Sequence, residues 1–239
     1  ETGKPQLVVF QRAFRISGND GRSVDAFNDG RCIVAPPLPH NVHVAARHHR
    51  DERAWLLGAQ THLHPGVALR WVQPVSDEFH ARYSARARHY RYRILNRLSR
   101  SAIDRDRAYW VHQPLDADVM QQAADALLGK HDFTSFRAAG CQSHHAIRHV
   151  QALTVTRRGD EIDIDIRANA FLYHMVRNIT GSLVLIGRGE RPVAWLAELL
   201  EARDRSQSGM TAPAHGLYFI KALYEARWGL PPEFALSAV

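Results

Sequence analysis

Hydrophobic and polar positions alternate strictly along residues 88–96, and this two-residue period predicts a β-strand. One face carries Tyr90, Tyr92 and Ile94, and the other carries Arg91, Arg93 and Leu95. Similar patterns predict a strand at 67–75 that ends at Pro74, a hairpin at 150–169 with its turn at 158–160, and a strand at 216–224.

Apolar residues recur at helical spacing in four other segments, 50–63, 116–129, 171–189 and 193–204. Asp116 is placed to cap the second of these helices, and Gly129 to end it. Residues 6–16 are apolar and fit either a strand or the end of a helix. The prolines of residues 35–41 predict a loop.

The order of elements from Tyr90 onward is strand, helix, hairpin, helix, helix, strand. This order predicts an α+β fold, with an antiparallel sheet and helices packed on one face. Residues 1–77 have the pattern of a smaller, less complete α/β unit, so we predict one half at 1–77 and a second at 78–235.

The composition indicates a packed globular protein, because 45% of the 239 residues are hydrophobic. The sequence has no run of about 18 apolar residues, so no membrane span is expected. It shows no basic and apolar leader, so secretion is not indicated. Cys32 and Cys141 are the only cysteines and form no Cys-x-x-Cys pattern. A reduced, cytoplasmic protein is therefore expected.

The charge is basic, with 31 Lys and Arg against 24 Asp and Glu. Only Lys4, Lys130 and Lys221 are lysines. Arginine binds phosphate through two parallel hydrogen bonds and stacks on bases, which favours a nucleic-acid partner. A GC-rich genome would produce the same bias, and composition alone leaves both explanations open.

Residues 78–96 interleave arginines with aromatic rings. The arginines are Arg82, Arg86, Arg88, Arg91 and Arg93, and the rings are His80, Tyr83, His89, Tyr90 and Tyr92. This mixture suits RNA, because guanidinium groups bind phosphate while rings stack on unpaired bases. The alternative is a solvated basic face with Tyr90 and Tyr92 in the core.

Two other features bear on chemistry. Fifteen histidines are present, but their spacing builds no metal-ligand set, so no metal site is expected. Residues 168–183 carry an apolar i, i+4 stripe, and Arg177 interrupts this apolar helix. A partly buried arginine requires a carboxylate or a phosphate, unless it extends to the domain edge.

Several strings together resemble the tRNA pseudouridine synthase A family. They are "FHARYSARARHYRYRI" at 79–94, "LLGKHDFTSFRAAGCQS" at 127–143, "ANAFLYHMVRNITGSL" at 168–183 and "ARDRSQSGMTAPAHGLYFI" at 202–220. The segment at 50–72 also fits, so the resemblance is collinear from about residue 50 to 231.

The resemblance implies isomerisation of uridine to pseudouridine at positions 38–40 of the tRNA anticodon arm, without metal or cofactor, by a homodimer. It implies an antiparallel sheet built from two related α/β halves, with a basic cleft between them. Tyr90 then matches the tyrosine that stacks on the target base, and Arg177 the arginine that pairs with the catalytic aspartate. The residues expected to bind substrate are Tyr90, Arg82, Arg86, Arg88 and Arg137.

The family's Gly-Arg-Thr-Asp-Ala-Gly-Val-His signature is not present. Aligning residues 21–32 with it, with one inserted residue, makes Asp25 the nucleophile. A shifted loop selects Asp29 instead, and a third alignment leaves no nucleophile. Asp20 and Asp29 precede glycine and suit tight turns, whereas Asp25 does not. A catalytically inactive tRNA-binding homologue is therefore the alternative function.

Overall fold

The structure is a computed structural model, and it describes residues 6–13, 39–45, 50–64 and 67–236. The chain divides into two compact units. The first comprises Glu1–Arg88 with Phe219–Val239, and the second comprises His89–Tyr218. The sequence-based division at residue 77 remains a prediction.

A three-stranded antiparallel sheet forms the start of the first unit. Its strands are β1 (Gln6–Ala13), β2 (Pro39–Ala45) and β3 (Val67–Val75), in the order β2-β1-β3. Residues 6–13 are thus a strand, and residues 39–41, predicted as loop, open β2. Pro74 lies inside β3, opposite Leu7, rather than ending the strand.

Helix α1 (Glu52–Gln60) packs on β3 and confirms the predicted helix. The Asp51 side chain caps it by accepting a 2.6 Å hydrogen bond from Ala54 N. Trp55 and Leu56 pack against Val72. An aromatic contact joins the two stretches of chain that make up this unit. The ring centroids of Phe79 and Tyr224 are 5.3 Å apart.

The other strands form a six-stranded mixed sheet. They are β4 (Ala85–Asn96), β5 (Tyr109–Val111), β6 (Gly129–Asp132), β7 (Ile147–Arg158), β8 (Glu161–Ala168) and β9 (Leu217–Tyr224). The order is β5-β4-β8-β7-β6, and β9 pairs with β4. The predicted hairpin is confirmed as β7 and β8.

The sheet is not purely antiparallel, which corrects the sequence prediction. β5 runs parallel to β4, with Ile94 opposite Tyr109. Residues 97–108 carry the chain back along the sheet before β5 begins, and such a crossover gives a parallel pair.

Three α-helices belong to the second unit, namely α2 (Ala117–Ala124), α3 (Met175–Gly187) and α4 (Trp195–Ala202). Asp116 caps α2 as predicted, accepting from Asp118 N and Val119 N at 3.0 Å. Gly129 does not end α2, which gives way to a 3-10 turn four residues earlier, and Gly129 instead opens β6 at a φ of 96°.

Six short 3-10 helices are also present in the described ranges: Asp125–Leu127, Thr134–Phe136, Arg205–Gln207, Ala214–Gly216, Ala226–Trp228 and Pro232–Phe234. Within the same ranges, no helix is long and apolar enough to cross a membrane.

The core of the second unit lies between its helices and one face of the sheet. Met175, Ile179 and Leu183 of the predicted apolar stripe are all buried there. They share the core with Tyr92 of β4 and Ile164 of β8. Because side chains alternate along a strand, the neighbours of these strand residues face the opposite side of the sheet.

Candidate active site

Arg177 lies in the first turn of α3 and is half-buried. Its Nε donates a 2.7 Å hydrogen bond to Ala212 O, and its Nη1 lies 3.0 Å from His174 Nε2. Burial lowers the pKa of Arg177, against the opposing effect of the Tyr92 and Tyr173 hydroxyls. The group nevertheless keeps its charge, because an arginine side chain is not deprotonated in proteins.

No carboxylate among the described residues forms an ion pair with Arg177. A half-buried charge held by a carbonyl and an imidazole remains electrostatically unbalanced and favours an incoming anion. Asp25 and Asp29, the candidates for that anion, lie outside the described residues.

His174 is a hydrogen-bond partner of Arg177 that the sequence interpretation missed. It adopts a left-handed backbone with a φ of 57°, which is costly for a residue other than glycine and is concentrated at functional sites. Its ring stacks on Tyr173 at 3.9 Å. Burial, followed by the charges of Arg177 and Arg205, lowers the pKa of His174, so a neutral Nε2 accepts from Arg177 at pH 7.

The segment from Arg205 to Pro213 is fastened to α3 by polar contacts. Asn178, which is fully buried, accepts from Thr211 Oγ1 at 2.6 Å and from Arg205 Nη2 at 3.1 Å. Its amide donates to Phe136 O at 2.8 Å. This network fixes the position of Ala212, the residue whose carbonyl orients Arg177.

Glycines allow the same segment to touch α3 directly. A Cβ on Gly181 would lie 1.8 Å from Met210 O, and one on Gly209 would lie 2.9 Å from the Gly181 carbonyl carbon. Gly209 N also donates to Ser182 Oγ at 3.1 Å. The two backbones therefore approach so closely that no side chain fits between them.

Tyr90 and Tyr92 lie on the core face of β4, in agreement with the predicted alternation. Tyr92 is fully buried and donates to Pro213 O at 2.6 Å, next to the carbonyl that Arg177 holds. Burial raises the pKa of its hydroxyl far above the ordinary value. Tyr90 is half-buried, with its ring 4.9 Å from Phe171 in an edge-to-face contact.

The opposite face of β4 carries arginines that are already paired. Arg91 binds Asp165 at 3.0 Å, and Arg93 binds Glu161 at 2.9 Å. His89 Nε2 also lies 2.7 Å from Asp165. The charges of Arg91 and Arg93 are therefore balanced by acidic residues of β8. This agrees with the alternative interpretation of residues 78–96, in which the arginines form an ordinary charged face.

The predicted substrate-binding arginines of the first unit differ in their partners. Arg82 lies with its guanidinium carbon 5.7 Å from the Tyr83 ring. Arg88 donates to Arg82 O at 2.8 Å, and Arg86 pairs with Glu225 at 2.7 Å.

Arg137 belongs to the second unit and braces its own loop. Its Nη2 donates to Cys141 O at 3.0 Å and to Ser143 O at 2.7 Å. No carboxylate in the described part of the chain pairs with Arg137, and a charge bound only to neutral carbonyls is compatible with a phosphate ligand.

Comparison with known proteins identifies the class. Residues 123–225, which include α3 and Arg177, match the family described as tRNA pseudouridine synthase. The fold is the mixed α/β arrangement described above.

Curated relatives narrow the class. Proteins named tRNA pseudouridine synthase A from Xanthomonas euvesicatoria and Xanthomonas axonopodis pv. citri are 51% identical over 209 residues, which is 87% of this chain and 79% of each relative. The protein of that name from Stenotrophomonas maltophilia is 50% identical over 212 residues, 89% of this chain and 80% of the relative. The chain belongs to the tRNA pseudouridine synthase A family.

Proposed function

We propose that this protein isomerises uridine to pseudouridine in tRNA, at positions 38–40 of the anticodon arm. The observation that carries the proposal is about 51% identity to proteins named tRNA pseudouridine synthase A across most of both chains. The half-buried Arg177 charge, which lacks a carboxylate among the described residues, supports the same reading because the reaction requires an aspartate there.

The residue roles follow from the family chemistry. An aspartate, for which Asp25 is our candidate, attacks the ribose or the uracil ring. The bond between the ribose and the uracil nitrogen breaks, the uracil rotates, and its C5 carbon bonds to the ribose, with release of the aspartate and loss of the C5 proton. Arg177 holds the carboxylate in its ionised form, since a nearby positive charge favours the anion.

Tyr90 would stack on the target base once that base has left its helix. Its half-buried position against Phe171 fixes the ring while leaving part of its surface accessible. Arg82, Arg86, Arg88 and Arg137 would contact the phosphates, each of these contacts adding salt-dependent affinity.

The test is release of tritium from tRNA carrying uridine tritiated at C5, because that hydrogen leaves when the new carbon bond forms. We expect Asp25→Ala and Arg177→Lys each to lower the rate by about 100-fold or more, the loss reported for single electrostatic groups in active sites. Lysine keeps the charge of Arg177 but lacks the planar guanidinium, whose Nε and Nη1 contact Ala212 and His174 from fixed positions.

Gly58→Ala is the matched control, because a Cβ at Gly58 meets no atom within 4 Å. This variant should retain the wild-type rate. Full activity of Asp25→Ala would reject Asp25 as the nucleophile and direct the search to Asp29. Full activity of Arg177→Lys would reject the role given to Arg177.

A catalytically inactive tRNA-binding homologue is the second candidate. The missing family signature favours it. Gel-shift binding that weakens steeply with salt, without tritium release by the wild-type protein, would establish this alternative. Failure to bind tRNA at low salt would reject both functions.

Three further properties belong to the proposal. They are a homodimeric assembly, a cytoplasmic location and a sheet of two related halves with a basic cleft. The net charge of +7 and the preference for arginine agree with a polyanionic substrate.

A further inference from the structure

The turn at residues 80–84 presents Tyr83 to solvent, with 73% of the residue exposed. Its ring centroid lies 4.3 Å from that of His80, which in turn lies 4.4 Å from that of His43. Tyr83 is thus the outermost of three rings in tilted contact, supported from behind and open in front.

Hydrogen bonds hold this turn in place. His80 Nδ1 accepts hydrogen bonds from two backbone amides, Arg82 N at 3.1 Å and Tyr83 N at 3.2 Å. Ser84 Oγ accepts from His80 N at 3.0 Å. A surface ring that is fixed before binding loses less entropy when a ligand arrives.

The other rings of the 78–96 segment are engaged elsewhere. Tyr92 is fully buried, Tyr90 packs on Phe171, and His89 contacts Asp165. The interleaved pattern of arginines and aromatic rings therefore leaves Tyr83 as the ring of this segment with a widely exposed face.

The charge beside Tyr83 is positive. The Arg82 guanidinium carbon lies 5.7 Å from the ring centroid, and no described carboxylate pairs with Arg82. An aromatic face next to a guanidinium is an arrangement by which proteins bind single-stranded nucleic acid, since bases stack on rings and phosphates bind arginine.

We propose that Tyr83 is a stacking platform for an unpaired base of the bound RNA, with Arg82 neutralising a neighbouring phosphate. The inference rests on the proposed tRNA substrate and adds a contact distinct from the target-base position assigned to Tyr90. Stacking tolerates any base, so the site contributes affinity rather than sequence specificity.

The test is filter binding of an unmodified tRNA transcript at several salt concentrations. Tyr83→Ala should weaken binding by about tenfold or more, as expected for one lost stack, without changing the salt slope. Tyr83→Phe keeps the ring and should bind within about twofold of wild type. Arg82→Gln should reduce the salt slope by about one.

Leu98→Ala is the matched control, because Leu98 is a large apolar residue that is 84% exposed. It should bind as wild type does. Equal affinity of Tyr83→Ala and Leu98→Ala, in a wild-type protein that does isomerise uridine, would overturn the stacking site alone.

Two outcomes separate this inference from the proposed function. A protein that binds tRNA through Tyr83 but releases no tritium would keep the stacking site and reject the enzyme. A salt slope that falls with Tyr83→Ala would overturn the inference too, because stacking involves no counter-ion release.

Discussion

Replacing Asn178 with alanine should destabilise the protein and inactivate it for one common reason. The Asn178 side chain makes three hydrogen bonds, to Phe136 O, Thr211 Oγ1 and Arg205 Nη2, and is fully buried. At about 1 kcal/mol for each bond, the free energy of unfolding should fall by about 3 kcal/mol. Phe136 O would lose its hydrogen-bond partner. Water could replace that partner at the surface, but Asn178 and Phe136 are buried.

The functional loss follows from the position of Ala212. Without Asn178, Thr211 loses its acceptor, and the adjacent Ala212 carbonyl no longer fixes Arg177. The assay combines urea unfolding, followed by circular dichroism, with tritium release at a temperature where each variant is folded. We expect at least a tenfold lower rate, because misplacement by about 1 Å costs that much or more.

Leu196→Ala provides the comparison. Leu196 is fully buried in α4, and its truncation should cost about 2–5 kcal/mol while leaving the Asn178 network in place. Its rate should stay near that of wild type. An Asn178→Ala protein that is destabilised by less than about 0.5 kcal/mol, or that is no slower than Leu196→Ala, would refute the reasoning.

Two further predictions concern stability. Burial alone would raise the pKa of Asp165, but hydrogen bonds from His89 and Arg91 hold it below the ordinary value, so this carboxylate stabilises the fold above about pH 4 and loses that contribution as the pH falls. In urea titrations between about pH 2 and pH 7, the free energy of unfolding should therefore fall less steeply with acid for Asp165→Asn than for the wild type. Identical falls in the two proteins would contradict the prediction. Gly181→Ala should lower the melting temperature because its Cβ would lie 1.8 Å from Met210 O, whereas Gly58→Ala, with no atom within 4 Å, should be neutral or stabilising by up to about 1 kcal/mol; equal melting temperatures for the two would contradict the packing described.

Local chemistry explains the elements that the sequence predicted correctly. Asp116 caps α2 because a carboxylate next to free backbone amides has little choice of partner. The β7–β8 hairpin follows from alternating residues around Gly159, which adopts a φ of 59°. Both signals lie within a few residues of the structure they determine.

The elements that were missed depend on distant partners. β5 and β6 contain three and four residues, too few for a period to be visible. The parallel pairing of β5 depends on the path of the connection that precedes it, and the pairing of Arg91 with Asp165 depends on strand register. None of these is encoded in a local pattern.

The candidate site divides in the same way. Arg177 was identifiable because a charged residue interrupts an apolar helix. Its partner Ala212 O was not, because a backbone carbonyl 35 residues away carries no signature of its own. His174 gave one signal, its position immediately before α3 and three residues before Arg177 in the sequence.

The glycine contact between Gly181 and Gly209 has a mechanical consequence. Hydrogen bonds from Gly209 N to Ser182 Oγ and from Thr211 Oγ1 to Asn178 join the two main chains at this contact, so α3 and the segment at 208–212 move together. Whatever opening a folded RNA needs to reach the guanidinium has to come from other parts of the chain. Lengthening that segment by even one residue would move the Ala212 carbonyl away from the guanidinium it orients.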